Sequence, residues 1–369
     1  MRAAIVHYWL VNMRGGERVV EALCRLLPEA DVFTLFYEPE RISSAIRSHA
    51  VKASFLNPLR NHHRALLPLF PFALESLDLR GYDLVISSES GPAKGVLTAS
   101  NTRHVCYCHS PMRYLWDLYP TYLHDWARSR WTRAAMAALA CPLRMWDYAA
   151  AARVDEFIAN SRNVRQRIWK AYRREARVVY PPVEVESFYW RPAQDYFLVV
   201  AEMVSYKRVG DAVRCFARNG RPLKIVGGGP EYRELRRLAR PNIEFCGRVP
   251  AAELRELYAH SRALLMPGEE DFGIVPVEAM ASGKPVVALG RGGVLESVPQ
   301  ERPPGGVLYE EPGEAALEKA LARFERVERF VSAQALQAWA TQFSEARFLD
   351  EMREILNIGT AARSEAMAG

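Results

Sequence analysis

Short apolar runs alternate with stretches of helical periodicity along almost the whole chain. The runs are too short for typical helices and contain few polar residues, which is the pattern of buried parallel strands. The clearest runs cover residues 3–6, 31–36, 82–88, 104–108 and 154–159 in the first half and 196–201, 223–226, 243–245, 263–266 and 285–288 in the second, with 51–55 as a further candidate. Short strands separated by helices predict α/β domains whose parallel sheets carry helices on both faces.

The alternation stops and restarts near the middle of the chain. A strand-like run ends at Pro181-Pro182, and the pattern resumes at Tyr196 after a polar turn. A chain of 369 residues also exceeds what one hydrophobic core usually supports. We therefore predict a Rossmann-like domain over residues 1–180, a second over 181–345, and a C-terminal helix over 346–369 that returns to the first domain. Residues 126–152 are predicted to be helical, with a break before Pro142.

An acidic loop follows the apolar run 263–266, in the sequence MPGEEDFGIVPVEAMASGKP. We predict that it opens at the carboxyl end of a strand and leads into a helix, with Pro276 as the first helical residue and Glu278 in the first turn. The amides of Phe272, Gly273, Ile274 and Val275 would then face an anion such as phosphate. Glu270 and Glu278 would flank that anion and accept hydrogen bonds from hydroxyls. This favours a sugar nucleotide as ligand; two solvated glutamates on an ordinary connection are the alternative.

Two features of the first half also lie where strands are predicted to end. Gly15 and Gly16 follow the first strand and lead into an amphipathic helix, so their amides could contact a phosphate or simply form a turn. His109 follows the run 104–108. The carboxyl end of a strand in an open α/β sheet is where ligands bind, although a lone histidine can equally be structural.

Composition narrows the setting. The chain has 49 Lys and Arg residues and 43 acidic residues, which gives a formal charge of +6. Such a small excess of basic residues does not indicate a nucleic-acid-binding tail. Six cysteines in a chain of this length indicate reduced thiols. Cys106, Cys108 and His109 could be written as a metal cluster, but buried core cysteines are the favoured interpretation, and no metal is expected.

Membrane attachment is a separate question. Apolar stretches reach only about ten residues, half of what a membrane span needs, and the N-terminus does not resemble a signal peptide. We therefore expect a cytoplasmic chain, with peripheral contact at the inner face of the cell membrane. Residues 60–72 combine a basic cluster with an apolar, proline-broken run that suits a membrane interface, or equally a buried connection.

Four motifs together resemble glycosyltransferase family 4. They are the acidic loop from Glu270 with its second glutamate, the turn 227–230 (Gly-Gly-Gly-Pro), the segment 206–208 (Tyr-Lys-Arg) and Asn160-Ser161. The resemblance implies an α/β GT-B architecture, with two facing Rossmann-like domains, parallel sheets and a deep interdomain cleft. Segments 77–88, 93–96 and 109–117 are similar, more narrowly, to the mannosyltransferase-like branch of bacterial O-antigen and exopolysaccharide synthesis.

The resemblance also implies roles for individual residues. Glu278 would bind the ribose hydroxyls, Glu270 the donor sugar, and Lys207 the departing diphosphate. His109 would hydrogen-bond the transferred sugar, and His109, Glu270 and Lys207 are the expected catalytic residues. The other donor-binding positions that the resemblance implies are Gly15, Gly16, Arg208, Gly228, Asp271, Phe272, Gly273, Ile274, Val275 and, for the base, the backbone near Arg248 and Val249.

One departure from the family pattern concerns the diphosphate site. The family commonly has Gly-Arg-Leu before the phosphate-binding lysine, and here Ala201-Glu202-Met203 stand at the matching positions. Either Arg208 compensates for the missing arginine, or Glu202 points away, or donor binding is weakened.

The expected function is that of a retaining hexosyltransferase that needs no metal or other cofactor. Bond cleavage places negative charge on the diphosphate, which Lys207 and nearby amides would stabilise, and the diphosphate oxygen would accept the acceptor's proton in a front-face attack. Mannose from GDP-mannose is the expected donor, with a polyprenol-linked or saccharide acceptor. The alternatives are a UDP-sugar-dependent transferase, a sugar-nucleotide epimerase or phosphorylase, and a non-catalytic sugar-nucleotide-binding protein.

Overall fold

The computed structural model describes residues 1–63, 65–126, 129–301 and 304–358. The chain divides into two compact units. The first consists of residues 1–182 together with the chain from Phe348 onward, and the second of Val183–Arg347. Each unit contains one large parallel sheet with its own hydrophobic core. The predicted α/β class, with two Rossmann-like parallel sheets, is confirmed.

The first unit is built on a seven-stranded parallel sheet in the order β5-β3-β1-β6-β7-β8-β9, with a small two-stranded pair, β2 and β4, beside it. The strands are β1 (Ala3–Val6), β2 (Trp9–Leu10), β3 (Asp31–Thr34), β4 (Phe36–Tyr37), β5 (Val51–Ala53), β6 (Leu84–Glu89), β7 (Arg103–Cys108), β8 (Glu156–Ala159) and β9 (Ala176–Val178). The helices are α1 (Gly15–Leu26), α2 (Ser44–Arg47), α3 (Phe70–Glu75), α4 (Tyr119–Trp126), α5 (Arg130–Ala152) and α6 (Arg162–Tyr172). Strand β1 is buried along its whole length, as the run of apolar residues predicts.

The second unit is built on a six-stranded parallel sheet in the order β12-β11-β10-β13-β14-β15. The strands are β10 (Phe197–Val200), β11 (Leu223–Val226), β12 (Ile243–Gly247), β13 (Leu264–Met266), β14 (Val286–Leu289) and β15 (Gly306–Tyr309). The helices are α7 (Val209–Asn219), α8 (Tyr232–Leu238), α9 (Ala251–His260), α10 (Ile274–Ala281), α11 (Val294–Ser297), α12 (Glu314–Val327) and α13 (Ala333–Ala340).

Both sheets reverse their strand order beside the first strand. In the first unit the chain moves outward from β1 through β3 to β5 and then returns to place β6 on the other side of β1. In the second unit it moves from β10 through β11 to β12 and returns to place β13 beside β10. Ligands of open α/β sheets bind at the carboxyl ends of the strands that flank such a reversal. We call these places the first-unit crevice, at β1 and β6, and the second-unit crevice, at β10 and β13.

Helix α5 corrects one expectation. A break was expected before Pro142, yet the helix is continuous from Arg130 to Ala152 and contains that proline. A proline inside a helix removes one amide donor, here the one that would bond to the carbonyl of Ala138. Ala138 and Pro142 are both exposed, so water can satisfy that carbonyl. The cost of the proline is therefore small enough for the helix to continue.

The last helix, α14 (Glu345–Ile355), spans the boundary between the units. From Phe348 onward the chain belongs to the first unit, where Phe348, Met352 and Leu356 are buried in the core that also contains β1. Residues 359–369 lie outside the described ranges. None of the described helices combines the length and the apolar composition that a bilayer crossing requires.

Candidate active site

The second-unit crevice holds a lysine and a glutamate in direct contact. Lys207 Nζ lies 2.6 Å from Glu270 Oε1, and both side chains are partly buried. The pocket around them is lined by the ends of β10 and β13 and by the loop that follows β13, at Val200, Ala201, Leu265, Met266, Pro267, Gly268 and Val275. Two of the three expected catalytic residues thus meet where the strand order reverses, which places a cation and a hydroxyl acceptor side by side.

The groups around Lys207 stabilise its protonated form. Burial alone would lower the pKa of Lys207, but the carboxylate of Glu270 raises it, with smaller contributions from Tyr206 and Glu202, and the pKa lies above its usual range. Lys207 is therefore an ammonium at neutral pH. Because Glu202 acts on Lys207 electrostatically, the glutamate that replaces the expected arginine belongs to the surroundings of this lysine.

Arg208 is held by a neighbour on its own helix. Its φ of 54° lies in the left-handed region, and it caps α7. Its Nε donates a hydrogen bond of 2.8 Å to Oδ2 of Asp211, a residue that is only 4% exposed. Asp211 therefore holds the guanidinium through Nε, and compensation by Arg208 for the missing arginine would have to come from its two Nη groups.

Glycines allow close backbone approach around Lys207. A Cβ at Gly268 would lie 2.5 Å from the Cα of Lys207. A Cβ at Gly227 would lie 2.0 Å from the carbonyl oxygen of Ala201, and one at Gly229 would lie 2.5 Å from that of Met203. Gly228, the predicted donor-binding residue, has open space at its Cβ position. Close packing therefore requires glycine at positions 227, 229 and 268. Gly228, by contrast, has open space beside it that a ligand could occupy.

The acidic loop leads into α10 as predicted, with differences in detail. The helix begins at Ile274 with Gly273 as its cap at φ 92°, so Pro276 is the third helical residue and not the first. A proline is tolerated there because the first turn has free amides in any case. Phe272 is 2% exposed and packs edge-on against Phe343. The loop therefore has a rigid anchor directly before the helix.

Glu278 is not in the first turn of α10 and does not act on the helix terminus. It is 5% exposed, and its Oε2 accepts a hydrogen bond of 2.7 Å from the hydroxyl of Tyr258. The tyrosine on α9 thus fixes the carboxylate of α10. A fixed carboxylate is a good acceptor for a pair of ligand hydroxyls.

The remaining donor-site positions lie on loops and at the start of α10 in the second unit. Asp271 is half-buried beside Glu270, and Ile274 and Val275 are half-buried at the start of α10. Arg248 is exposed and Val249 half-buried, directly after the end of edge strand β12.

The first-unit crevice brings together two histidines and a glycine. His7 Nδ1 donates a hydrogen bond of 2.7 Å to the carbonyl of Ser88, and His109 Nε2 lies 2.9 Å from the hydroxyl of the same serine. A Cβ at Gly16 would lie 3.5 Å from His7 and 3.7 Å from His109. Gly15 and Gly16 are the first residues of α1, not a loop before it. The helix N-terminus and both histidines therefore face one place.

His109 is neutral over the whole physiological range. Burial, together with the neighbouring His7, lowers the pKa of His109 to about 3. A group with so low a pKa is a weak general base at neutral pH. A neutral imidazole can still donate or accept a hydrogen bond, which agrees with the binding role that the sequence suggests.

A buried charge network supports the end of β6. Lys94 Nζ lies 3.2 Å from Glu89 and contacts Asp147, and all three side chains are fully buried. Asp147 also accepts hydrogen bonds from Trp116 Nε1 at 2.7 Å and from the hydroxyl of Tyr172 at 2.8 Å. The carbonyl of Glu89 in turn accepts the amide of His109 at 2.6 Å. The network thus fixes the backbone that carries His109.

The two cysteines of β7 lie beside this network. Cys106, Cys108 and Glu89 offer atoms within 4.8 Å of one another. The ammonium of Lys94 already compensates Glu89 and would repel a metal cation. Both thiols are fully buried, and all six cysteines of the chain are free. The geometry fits core cysteines.

Two family models match consecutive parts of the sequence. The model for glycosyltransferase family 4 matches residues 13–187, and the model for glycosyl transferases group 1 matches residues 184–338. Together they cover residues 13–338, which include the second-unit crevice and, apart from β1 and His7, the first-unit crevice. The chain belongs to the glycosyltransferases, with a family 4 region followed by a group 1 region.

Individual relatives match over shorter distances. A glycosyltransferase of Methanocaldococcus jannaschii is 30% identical over 152 residues, which is 39% of this chain and 42% of the relative. A GDP-mannose-dependent α-(1-6)-phosphatidylinositol monomannoside mannosyltransferase of Mycobacterium tuberculosis is 38% identical over 93 residues, 22% of this chain and 24% of the relative. The matches thus cover less than half the length of these curated relatives.

A solved structure supports the fold over nearly the full length. The Anabaena protein HepE, solved in complex with UDP-glucose, matches with a TM-score of 0.69 at 17% identity, covering 96% of this chain and 99% of that one. At this identity the similarity concerns the fold alone.

Sequence reasoning missed several residues of this glycosyltransferase. His7 and Ser88 complete the first-unit crevice, although His7 directly follows a predicted strand, as His109 does, and the same argument would have found it. Gly293 is another residue that the sequence analysis does not single out. Its amide donates to the carbonyl of Glu270 at 2.9 Å, and a Cβ there would lie 2.3 Å from the Cα of Phe272. That contact depends on distant segments, so no local signal reveals it.

Proposed function

We propose that this glycosyltransferase moves mannose from GDP-mannose, with retention of configuration, onto a polyprenol-linked or saccharide acceptor in cell-surface polysaccharide synthesis. The observation that carries the proposal is the contact between Lys207 and Glu270 at the second-unit crevice, next to the N-terminus of α10. A fixed cation, helix amides and a hydroxyl acceptor form the set of groups that a sugar diphosphate needs.

The proposed chemistry follows from the charges. Cleavage of the bond between the sugar and the phosphate leaves negative charge on the diphosphate, and the ammonium of Lys207 together with the amides of Gly273 and Ile274 would stabilise it. The acceptor hydroxyl attacks the anomeric carbon on the face that the diphosphate leaves, and its proton passes to the departing phosphate oxygen. His109, held neutral, would hydrogen-bond a sugar hydroxyl.

The proposed donor rests on the relatives. The mycobacterial relative is GDP-mannose-dependent by name, and a Saccharomyces cerevisiae relative is named an α-1,3/1,6-mannosyltransferase. UDP-glucose is the second candidate, because HepE shares the fold and was solved with it. The base would contact the backbone near Arg248 and Val249, which does not select between guanine and uracil.

The test is a coupled assay of nucleotide release and product configuration. The full chain is incubated with GDP-mannose and a polyprenyl-diphosphate-linked saccharide, and the anomeric signal of the product is read by NMR. We expect acceptor-dependent release of GDP and an α-linked product. Consumption of the donor without an acceptor would favour an epimerase, and a β-linked product would contradict retention.

A control variant distinguishes a specific effect at the site from a general loss of structure. Lys224 forms a surface ion pair with Glu244 at 3.2 Å in the same unit. Lys224→Met should leave turnover unchanged, since surface pairs contribute little to stability.

A further inference from the structure

The first half of α5 exposes apolar side chains at its surface, where the guanidinium of Arg130 lies over the ring of Trp131, 5.2 Å from its centroid. Trp131 is 74% exposed and Leu139 is 39% exposed, and the alanines between them are exposed as well. Burial begins only at Ala140 and Leu143. Met145 on the same helix is 68% exposed. Exposed apolar side chains grouped on one helix segment indicate a surface that binds another apolar surface.

A second element with exposed apolar side chains packs against α5. Leu67 packs against the cluster that contains Ala140 and Leu143, and Trp146 Nε1 on α5 donates a hydrogen bond of 2.8 Å to Glu75 on α3. The chain from Leu67 to Glu75 therefore lies beside α5, where it exposes Leu69 by 42% and Phe72 by 68%. Leu59, earlier in the same basic and apolar segment, is 51% exposed.

Charge along both elements has one sign. Residues 57–74 and 126–146 contain no aspartate or glutamate. Arginines occur in both, among them Arg60, Arg130 and Arg133, whereas Arg144 is held by the carbonyl of Leu115 and the ring of Tyr119. The first acids that follow are both paired, since Glu75 accepts hydrogen bonds from Trp146 and Arg153 and Asp147 is buried against Lys94. Within the two segments themselves, every charged side chain is therefore basic.

We propose that this arginine-flanked apolar surface, defined by Leu59, Leu69, Phe72, Trp131, Leu139 and Met145, docks on a bilayer of anionic phospholipid. The apolar side chains enter the boundary between headgroups and acyl chains, while the arginines lie at the level of the phosphates. A second copy of the chain fits less well, because two such surfaces would place arginines against arginines.

Membrane docking adds to the proposed function. Its biological purpose rests on that function, because a lipid-linked acceptor would lie in the membrane. A docked first unit would meet a polyprenol-linked acceptor at the membrane surface. Vesicle binding itself requires neither donor nor acceptor. A chain that binds vesicles without transferring sugar, or transfers sugar without binding vesicles, would therefore show which of the two proposals fails.

The test is flotation of the full chain with vesicles. One set is phosphatidylcholine alone, and the other is an equal mixture of phosphatidylcholine and phosphatidylglycerol. We expect binding to the mixture, weak binding to phosphatidylcholine, and loss of binding as salt increases. Arg130→Gln and Arg133→Gln should each weaken binding roughly fivefold. Trp131→Ser combined with Met145→Ser should weaken it about tenfold or more through lost apolar burial.

A matched control lies in the second unit. Phe330 is 67% exposed beside Arg329, so Phe330→Ser removes an equally exposed aromatic residue from another surface. This variant should bind vesicles as the wild type does. The proposal would be overturned if phosphatidylglycerol did not increase vesicle binding by the wild type. It would also be overturned if the surface variants bound vesicles as well as Phe330→Ser does. A concentration-dependent dimer that Trp131→Ser dissociates would assign the surface to a second copy instead.

Discussion

The two crevices occupy equivalent places in their sheets but differ in charge. In the second unit, Lys207 and Glu270 meet as an ion pair 2.6 Å apart beside a helix N-terminus. In the first unit, the groups that meet are two histidines bonded to one serine, and His109 is neutral because burial and His7 lower its pKa to about 3. A reversal of strand order therefore provides the place, and the residues after each strand provide the chemistry.

This difference suggests a division of labour. A charged crevice with a fixed ammonium suits a diphosphate that gains negative charge during the reaction. A crevice with two hydrogen-bonding imidazoles, where the nearest carboxylate, Glu17, lies 3.8 Å from His7 Nε2, suits hydroxyl groups that remain uncharged. Variants in the second unit should therefore act on diphosphate binding and leaving-group stabilisation, while variants in the first unit should act on turnover with little effect on nucleotide affinity.

The largest effect is expected for Lys207→Met. The change removes the cation beside the leaving diphosphate, and the loss of one such stabilising group typically costs about a hundredfold to a thousandfold in turnover. GDP release measures the effect, and Lys224→Met serves as the control. Turnover within threefold of the wild type, about 0.7 kcal/mol by the usual conversion, would remove Lys207 from the mechanism.

Gly268→Ala should have the next largest effect. A new Cβ would lie 2.5 Å from the Cα of Lys207 and force the two backbones apart. A displacement of about 1 Å near a reacting group can cost up to a hundredfold in rate. Thermal unfolding should show a lower midpoint for this variant, whereas Gly228→Ala, with open space at its Cβ, should unfold like the wild type. Equal midpoints for the two variants would show that the close packing is not required.

His109→Gln should lower turnover about tenfold, the usual effect of one lost hydrogen bond of moderate strength. Because His109 lies in the first unit, calorimetric affinity for GDP should not change. A parallel loss of GDP affinity would contradict the division between the crevices.

Glu202→Arg restores the residue type that the family commonly has. Removing the acid near Lys207 and adding a cation should tighten GDP binding by about fivefold, the size expected for a partly exposed charge. Competition of the variant and the wild type for a fluorescent GDP analogue measures the ratio. Weaker binding by the variant would show that Glu202 has its own role at the site.

The smallest expected effect is that of His109→Gln on the free energy of unfolding, and it is visible only in acid. The pKa of His109 is lower in the folded chain than in the unfolded chain, so the unfolded chain binds more protons between about pH 6.5 and pH 3. Stability should therefore fall as pH decreases through this window. His109→Gln should flatten that slope by at most about 1.4 kcal/mol per pH unit, measured by urea unfolding. An unchanged slope would show that His109 is charged in the folded chain.

Sequence reasoning succeeded where the signal was local. The apolar runs predicted both sheets, and the loop after 263–266 was placed correctly between β13 and α10. It failed where solvent exposure, cap geometry or contacts between distant segments decide. Pro142 remains in a helix because its surroundings are exposed, and Gly15-Gly16 are helical because Arg14 and Glu17 cap α1. The hydrogen bond from Tyr258 to Glu278 joins two helices, so no pattern within either helix could reveal it.

The most direct test is calorimetric titration of the wild type and Lys207→Met with GDP-mannose, UDP-glucose and their nucleotides. A ligand present at a hundred times its dissociation constant stabilises the folded chain by about 2.7 kcal/mol, so a thermal-shift screen can precede the titration. We predict that GDP and GDP-mannose bind the wild type and that Lys207→Met binds both at least tenfold more weakly. Preference for UDP ligands would contradict the proposed donor, and equal affinity of the two proteins would contradict the second-unit crevice as the diphosphate site.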